Sequence, residues 1–457
     1  MRQRLCAACG MIMEKEKIQL SDHFTYGKLL RFTFPSIIMM IFTSIYSVVD
    51  GFFVSNFVGK TPFAAVNFIM PVLMMMGAVG SVFGTGGSAL IAKTLGEGKN
   101  EKAQQLFSMF IYLSIGAGAF FGLIGLLFLP QIARMLGADG TLLDDCVRYG
   151  RIISLATPAF MLQYEFQSFF ITAEKPHLGL AMTVVAGVLN MVLDALLVAV
   201  FPLGLVGAAL ATSISQAVGG IVPIIYFARK NDSLLHLTGF SFDGKALLKA
   251  TTNGFSELLS NISMSLISML YNAQLIHYAG ENGVAAYGVL MYVSMIFLAI
   301  FIGYAVGTAP VVGFHYGAEN KDELHSLLTK SLVLIGISSV LMLLAGEVLA
   351  KPLSHIFVGY DADLLPLTLR GFLIFSISFL FSGLGIYGSS FFTALNNGLI
   401  SAVISSMRTI VFQVIAVLLF PLIWGIDGIW FSIVFAEAGS ALLAVIMLIT
   451  QRKRYGY

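Results

Sequence analysis

Residues 59–72 read GKTPFAAVNFIMPV and residues 280–293 read GENGVAAYGVLMYV, with Gly59, Ala64 and Ala65 standing 221 positions before Gly280, Ala285 and Ala286. The same 221-residue offset carries LGEGKNEKAQQL (95–106) onto YGAENKDELHSL (316–327), FITA (170–173) onto FFTA (391–394), and GLVGAA (204–209) onto GIDGIW (425–430). One unbroken register through separated blocks marks an internal duplication, so each half is one structural unit.

What each unit is follows from the apolar stretches around those blocks. A spanning helix needs roughly 20 predominantly apolar residues. Twelve such windows stand between polar breaks, near 32–54, 63–91, 104–128, 152–172, 178–200, 205–228, 250–278, 284–312, 331–350, 371–394, 398–420 and 426–449. The expected fold is therefore an all-α membrane protein of twelve transmembrane helices. It forms two six-helix bundles related by pseudo-twofold symmetry, because an even number of helices per repeat places the axis along the membrane normal. The expected division is a cytoplasmic leader (1–25), an N-lobe (26–228), a cytoplasmic linker (229–247), a C-lobe (248–450) and a cytoplasmic tail (451–457).

Charge placement supports that count. Cytoplasmic segments carry the excess of Lys and Arg; with the N-terminus inside, 19 of the 26 basic residues fall on the inner side and six on the outer, leaving only Arg408 within the membrane. An odd number of helices would break this asymmetry. Both termini are thus expected in the cytoplasm.

Composition excludes other classes. Only 11% of the 457 residues are charged and 58% are apolar, against about 25% charged in a soluble domain. A net charge of +2 argues for no nucleic-acid partner. Three cysteines cannot make a disulfide framework, and Cys6 and Cys9 form a lone C-x-x-C in the leader, read as reduced thiols rather than a metal or redox site. All seven histidines fall in loops or near helix ends, so no buried histidine cluster is expected. Without a G-x-x-x-x-G-K-[ST] motif the chain is not read as a self-contained ATP-driven pump. It has no nucleophile-and-base constellation either, and is expected not to be an enzyme.

Ionisable side chains at membrane depth are costly and mark functional candidates. Each helical residue rises about 1.5 Å, so Asp194, Thr212 and Asp50 all lie roughly 9 to 13 Å below the outer surface. Asn190 stands one turn from Asp194 on the same helix face. Hard cations such as sodium prefer oxygen ligands, while a carboxylate in a low dielectric can take up a proton in one state and release it in another. The rival reading is a polar cluster that only holds helices together. The repeat equivalents of Asp50 and Asp194 are Tyr271 and Ile415, so the acid pair belongs to the N-terminal half alone. Tyr46, Gln163, Glu165, Gln167, Glu257 and Glu437 are further candidates for coupling or substrate contact, and Glu437 is the repeat equivalent of Gln216.

From about Tyr26 to Thr450 the chain resembles the multidrug and toxic compound extrusion (MATE) family. The resemblance rests on Pro35 followed by Tyr46, Val49 and Asp50; on Gly84 to Gly87 before A-K-T-L-G-E-G; and on N-M-V-L-D (190–194) followed by GLVGAALATSISQ (204–216). A-A-Y-G-V, A-P-V-V-G and the H-Y-G-A ending at Ala318 complete it. It implies an inner-membrane antiporter whose two lobes form a V-shaped cavity and which expels organic cations in exchange for protons or sodium. The family's N-lobe ion site matches Asp50, Asn190, Asp194 and Thr212, which would also ligate sodium. Some branches carry a further acid in the tenth helix; this sequence has none from Pro366 to Ala394, and has Glu257 in the seventh. A more distant similarity is to flippases of lipid-linked saccharides, which would want several cavity Lys or Arg residues to meet pyrophosphate. No cofactor is expected beyond the coupling ion. The expected partners are a small amphipathic cation and the lipid bilayer, with a monomer as the working unit.

Overall fold

The computed structural model describes residues 18–359 and 361–457, so Cys6 and Cys9 lie outside the described residues. Among the described residues, helices are the only regular structure. Nine are long and apolar enough to cross a membrane, and the pair Leu364–Ser376 and Phe379–Ala394, bent by 48°, makes a tenth span. Two more complete the expected twelve. The helix Gly244–Gly317 breaks at Gly280 (φ 61°, ψ −150°), and Tyr271 and Tyr287 on either side stack at 5.1 Å, so the chain doubles back there into two spans. Gly140–Thr172 is long enough, but Asp144, Asp145, Arg148 and Arg151 in one half and Gln163, Glu165 and Gln167 in the other leave it too polar to qualify by composition.

In chain order the spans are α1 (Tyr26–Val58), α2 (Pro62–Gly96), α3 (Asn100–Met135), α4 (Gly140–Thr172), α5 (Pro176–Val200) and α6 (Gly204–Ala228). The second half holds α7 (244–279), α8 (281–317), α9 (Lys321–Val358), α10 (Leu364–Ala394), α11 (Gly398–Trp424) and α12 (Ile426–Tyr455). The duplication is visible in the turns: Gly59 and Gly280, and Gly204 and Gly425, are pairs 221 apart that all take positive φ just before a new helix, a conformation glycine adopts without a Cβ penalty. Most helices run past their apolar windows, and α4 begins at Gly140 rather than near 152. Backbone hydrogen bonding continues beyond the lipid, where side chains need no longer be apolar.

The halves meet at the end that carries the described termini. Glycines let helix backbones touch there: a Cβ on Gly96 of α2 would sit 2.0 Å from the Phe314 oxygen of α8, and one on Gly317 of α8 would sit 2.0 Å from the Lys93 oxygen of α2. These are symmetry mates, since Lys93 and Gly96 map onto Phe314 and Gly317. Gly254 of α7 likewise abuts Val82 of α2, and Gly303 of α8 abuts Ile37 of α1.

A strap preceding α1 crosses this closure. Leu20 N donates to Glu174 Oε1 at 2.7 Å and Phe24 N to Glu323 Oε1 at 2.9 Å, while Lys330 Nζ donates to the Phe24 oxygen. Leu20 and Phe24 are fully buried, so the strap is both bonded and packed. His315, expected near a helix end, is there but only 2% exposed.

Candidate functional site

Asp50 and Asp194 come from different helices and lie close enough for each carboxyl to act on the other. Local helix geometry changes beside each. A π-helical turn, Ala195–Val200, begins at the residue after Asp194, and another, Val54–Val58, begins one turn after Asp50. Such widened turns recur at functional sites because they re-aim side chains. Gly187 allows α5 to lie against α1, where a Cβ would meet the Phe42 ring at 2.4 Å.

Asp194 is fully buried and Asn190, one turn away, is 2% exposed. Both Asp194 oxygens, Asp50 Oδ1, Asn190 Oδ1 and Thr212 Oγ1 have no well-aligned protein hydrogen-bond partner. Buried oxygens are normally paired, so this set stands out as unpaired oxygens on neighbouring helices. Two ionised carboxylates in contact repel, and a proton or a small oxygen-liganded cation between them relieves the repulsion. The residues singled out by depth are therefore placed on one wall by α1, α5 and α6.

One member of this cluster was not anticipated. Tyr149 of α4 is 2% exposed, and its hydroxyl lies beside Thr212 and faces both Asp50 and Asp194. It stands nine positions after Gly140, or about 14 Å along the helix, at the level of the two acids. The signal was in the sequence, but starting α4 near 152 put Tyr149 in a loop.

The remaining candidates separate. Tyr46, one turn before Asp50, lies within electrostatic range of Asp50 and of Tyr164 of α4. Gln163 and Gln167 line a small cavity between α4, α5 and α6 with Thr183 and Gly219. Glu165 is fully buried and its neighbour is Ser114 of α3. Glu437 of α12 is held by Arg408 of α11: Nε lies 3.0 and 2.9 Å from the two carboxylate oxygens and Nη2 lies 2.8 Å from Oε1. Removing one partner of such a pair costs about 3–5 kcal/mol, because the other charge is left buried. Glu257 of α7 is exposed, one turn beyond Gly254 on the face that meets the N-terminal half, and so lines the space between the halves.

The two halves thus share a scaffold and differ in chemistry. The positions equivalent to Asp50, Asn190, Asp194 and Thr212 are Tyr271, Val411, Ile415 and Ile433.

Comparison with known proteins agrees with the duplication. The MatE family model matches residues 35–196 and again 258–419. Among curated relatives, the Multidrug export protein MepA of Staphylococcus haemolyticus is 26% identical over 448 residues, covering 96% of this chain and 97% of that protein. MepA of Staphylococcus aureus is 25% identical over 437 residues, covering 94% of each. A solved outward-facing multidrug resistance MATE transporter of the MOP superfamily superposes with a TM-score of 0.91 at 23% identity, over 97% of this chain and 99% of that one. A MOP superfamily transporter from Pyrococcus furiosus superposes with a TM-score of 0.89 at 23% identity, with the same coverage. With both halves matched by one family model and the helices arranged as in these structures, the chain belongs to the MatE family.

Proposed function

We propose that this protein is a secondary antiporter that exports small, amphipathic, positively charged drugs, taking up protons or sodium in return. Its relatives named for multidrug export align from end to end, which supports the substrate class. The observation that carries the coupling is the one-sided acid pair: Asp50 and Asp194 meet, with buried oxygens of Asn190 and Thr212 beside them, in a half whose twin has no such acids. Occupancy of that cluster alters how α1, α5 and α6 pack, and through them which side of the membrane the crevice faces.

In this reading the N-lobe (26–228) and C-lobe (248–450) rock about the crevice, joined by the linker 229–247, with the leader and the tail 451–457 in the cytoplasm. The protein works as a monomer in the inner membrane and needs no cofactor beyond the coupling ion. A saccharide-lipid flippase is disfavoured because Arg408 is, among the described residues, the one basic side chain at mid-membrane depth and Glu437 offsets its charge, where a pyrophosphate would want several cations.

The test is transport of a fluorescent organic cation into proteoliposomes with proton and sodium gradients imposed separately. Asp50→Asn and Asp194→Asn are expected to abolish gradient-driven movement while leaving expression and folding intact. Unchanged transport in both variants rules out this site as the coupling centre.

A further inference from the structure

Arg408 is more than half of an ion pair. Its guanidinium has five N–H donors, and Glu437 engages only Nε and Nη2. The Nη1 edge is left, and the side chain is 19% accessible, whereas Glu437 is 3% accessible. Glu257 of α7 lies within Coulombic reach of Arg408, and it is an exposed residue one turn from Gly254, which packs against α2 of the other half.

The placement of these groups is built into the packing. Ser256, next to Glu257, accepts a 3.0 Å hydrogen bond from the Ser401 hydroxyl of α11. Ser401 lies seven residues before Arg408, two turns along the same face. Ser401 is itself held by Ser389 at 2.9 Å and Thr393 at 2.7 Å from α10. Gly385 of α10 lies beside the arginine stem, its Cβ position 3.6 Å from Arg408 Cδ and only 2.6 Å from Ser440 Oγ of α12, so the glycine brings α10 close against α12 at the level of Arg408. The arginine itself sits in a π-helical turn, Met407–Val411, of the kind that widens a helix at functional sites. In the N-terminal half the equivalent position is Gly187, so the cation belongs to one lobe.

From this arrangement we infer that Glu257 and the free edge of Arg408 form a binding site for zwitterionic amphiphiles, with the ligand's ammonium group on Glu257 and its carboxylate on Arg408. The inference rests on the exporter reading above and extends its substrate class. Without Arg408 a carboxylate-bearing molecule would meet Glu257 and Glu437 and be repelled. With it, a zwitterion enters a site of net charge −1 and leaves that charge unchanged, while a plain cation needs Glu257 alone. Glu437 acts as a positioning residue that fixes the guanidinium plane, a bidentate geometry lysine cannot reproduce.

The experiment uses one fluorescent amphiphile carrying an amine and a carboxylate, together with its methyl ester, which differs only in lacking the negative charge. Both are assayed in proteoliposomes with the wild type, with Arg408→Lys, and with the paired Arg408→Gln/Glu437→Gln variant, which removes both charges and leaves no lone buried ion. The expected result is transport of both compounds by the wild type. In the paired variant the KM for the zwitterion should rise roughly tenfold or more, the scale of a lost charge-assisted hydrogen bond, while KM and maximal rate for the ester stay within about twofold. Arg408→Lys should fall between. Equal losses for acid and ester overturn the inference and make the ion pair structural, and so does a wild type that moves the ester but never the zwitterion. A wild type that moves neither overturns the exporter reading, and the inference with it.

Discussion

The closure between the halves depends on two glycines related by the repeat, and adding one methyl group to either should open it. A Cβ on Gly317 would lie 2.0 Å from the Lys93 oxygen and 2.8 Å from its carbonyl carbon; one on Gly96 would lie 2.0 Å from the Phe314 oxygen and 2.9 Å from Ala318 N. These are helix-backbone atoms, so no side chain can rotate aside. Restoring ordinary contact requires α2 and α8 to separate by roughly 1 to 1.5 Å in an otherwise close-packed interface. Overpacking of this kind costs about 1–3 kcal/mol, all of it charged to the state closed at the terminal end. At about 1.4 kcal/mol per factor of ten, the closed-to-open ratio falls about 5- to 150-fold. A suitable reporter is Met264→Cys, two turns beyond Glu257 on α7 and 71% exposed, in a background lacking Cys6, Cys9 and Cys146. An impermeant maleimide added outside should react more slowly in Gly317→Ala or Gly96→Ala, because the rate follows the fraction closed at the terminal end, with the fall in the closed-to-open ratio as its upper bound. Gly336→Ala on α9, where a Cβ meets nothing within 4 Å, serves as the control. Wild-type labelling rates in both Gly96→Ala and Gly317→Ala would refute the claim that this contact sets which side is open.

Other perturbations test neighbouring parts of the argument. Tyr149→Phe removes the hydroxyl beside Thr212 and should slow gradient-driven transport about tenfold, the cost of one buried hydrogen-bonding group, without loss of folded protein on gel filtration. Glu323→Gln weakens the bond from Phe24 N and the contact with His23; in inside-out vesicles a Ser36→Cys reporter should then label about tenfold faster, and an unchanged rate would show that the strap is not a latch. Asp243 caps α7, and the Ala246 N–H, followed by Lys102, holds its carboxyl below the usual range despite some burial. A depressed folded value means stability that is present above the unfolded value of about 4 and is lost as the pH falls through the folded one. Asp243→Ala should therefore cost about 0.5–2 kcal/mol at pH 7, and the deficit should shrink below about pH 4 in melting curves. A deficit of equal size at pH 3 and pH 7 would assign the effect to packing instead.

How far the sequence reaches can be traced through particular residues. The offset that pairs Gly59 with Gly280 was readable because turns needing positive φ keep their glycines in both copies. Asp50 and Asp194 were readable together because helix rise converts sequence distance to depth, and both helices have sharp outer ends. Tyr149 was missed for the same reason in reverse: Asp144, Asp145, Arg148 and Arg151 disguise the start of α4 as a loop, and depth counted from a false boundary places nothing. The Arg408–Glu437 pair was out of reach because periodicity fixes which face a residue occupies but not which neighbouring helix that face meets.

The repeat leaves one question that geometry can answer. If duplication alone dictated function, both halves would carry the acids, yet the symmetric features lie at the helix ends, in the closure and the outer glycine turns, and the asymmetric ones lie between them. Gly96 with Phe314 and Gly317 with Lys93 are interchangeable under the repeat. Asp50 faces Asp194 in one half, whereas Tyr271 stacks on Tyr287 in the other at 5.1 Å. A rocking joint between two similar bodies works best when both sides fit the same contact, so the closure is held to symmetry. Under the proposed coupling, an ion site gains nothing from a twin that would bind its own ion and change the number exchanged per cycle. The C-terminal half is thereby free to hold Arg408, Glu437 and Glu257 for a different task, and those residues, rather than a second acid pair, are where its substrate preference should be sought.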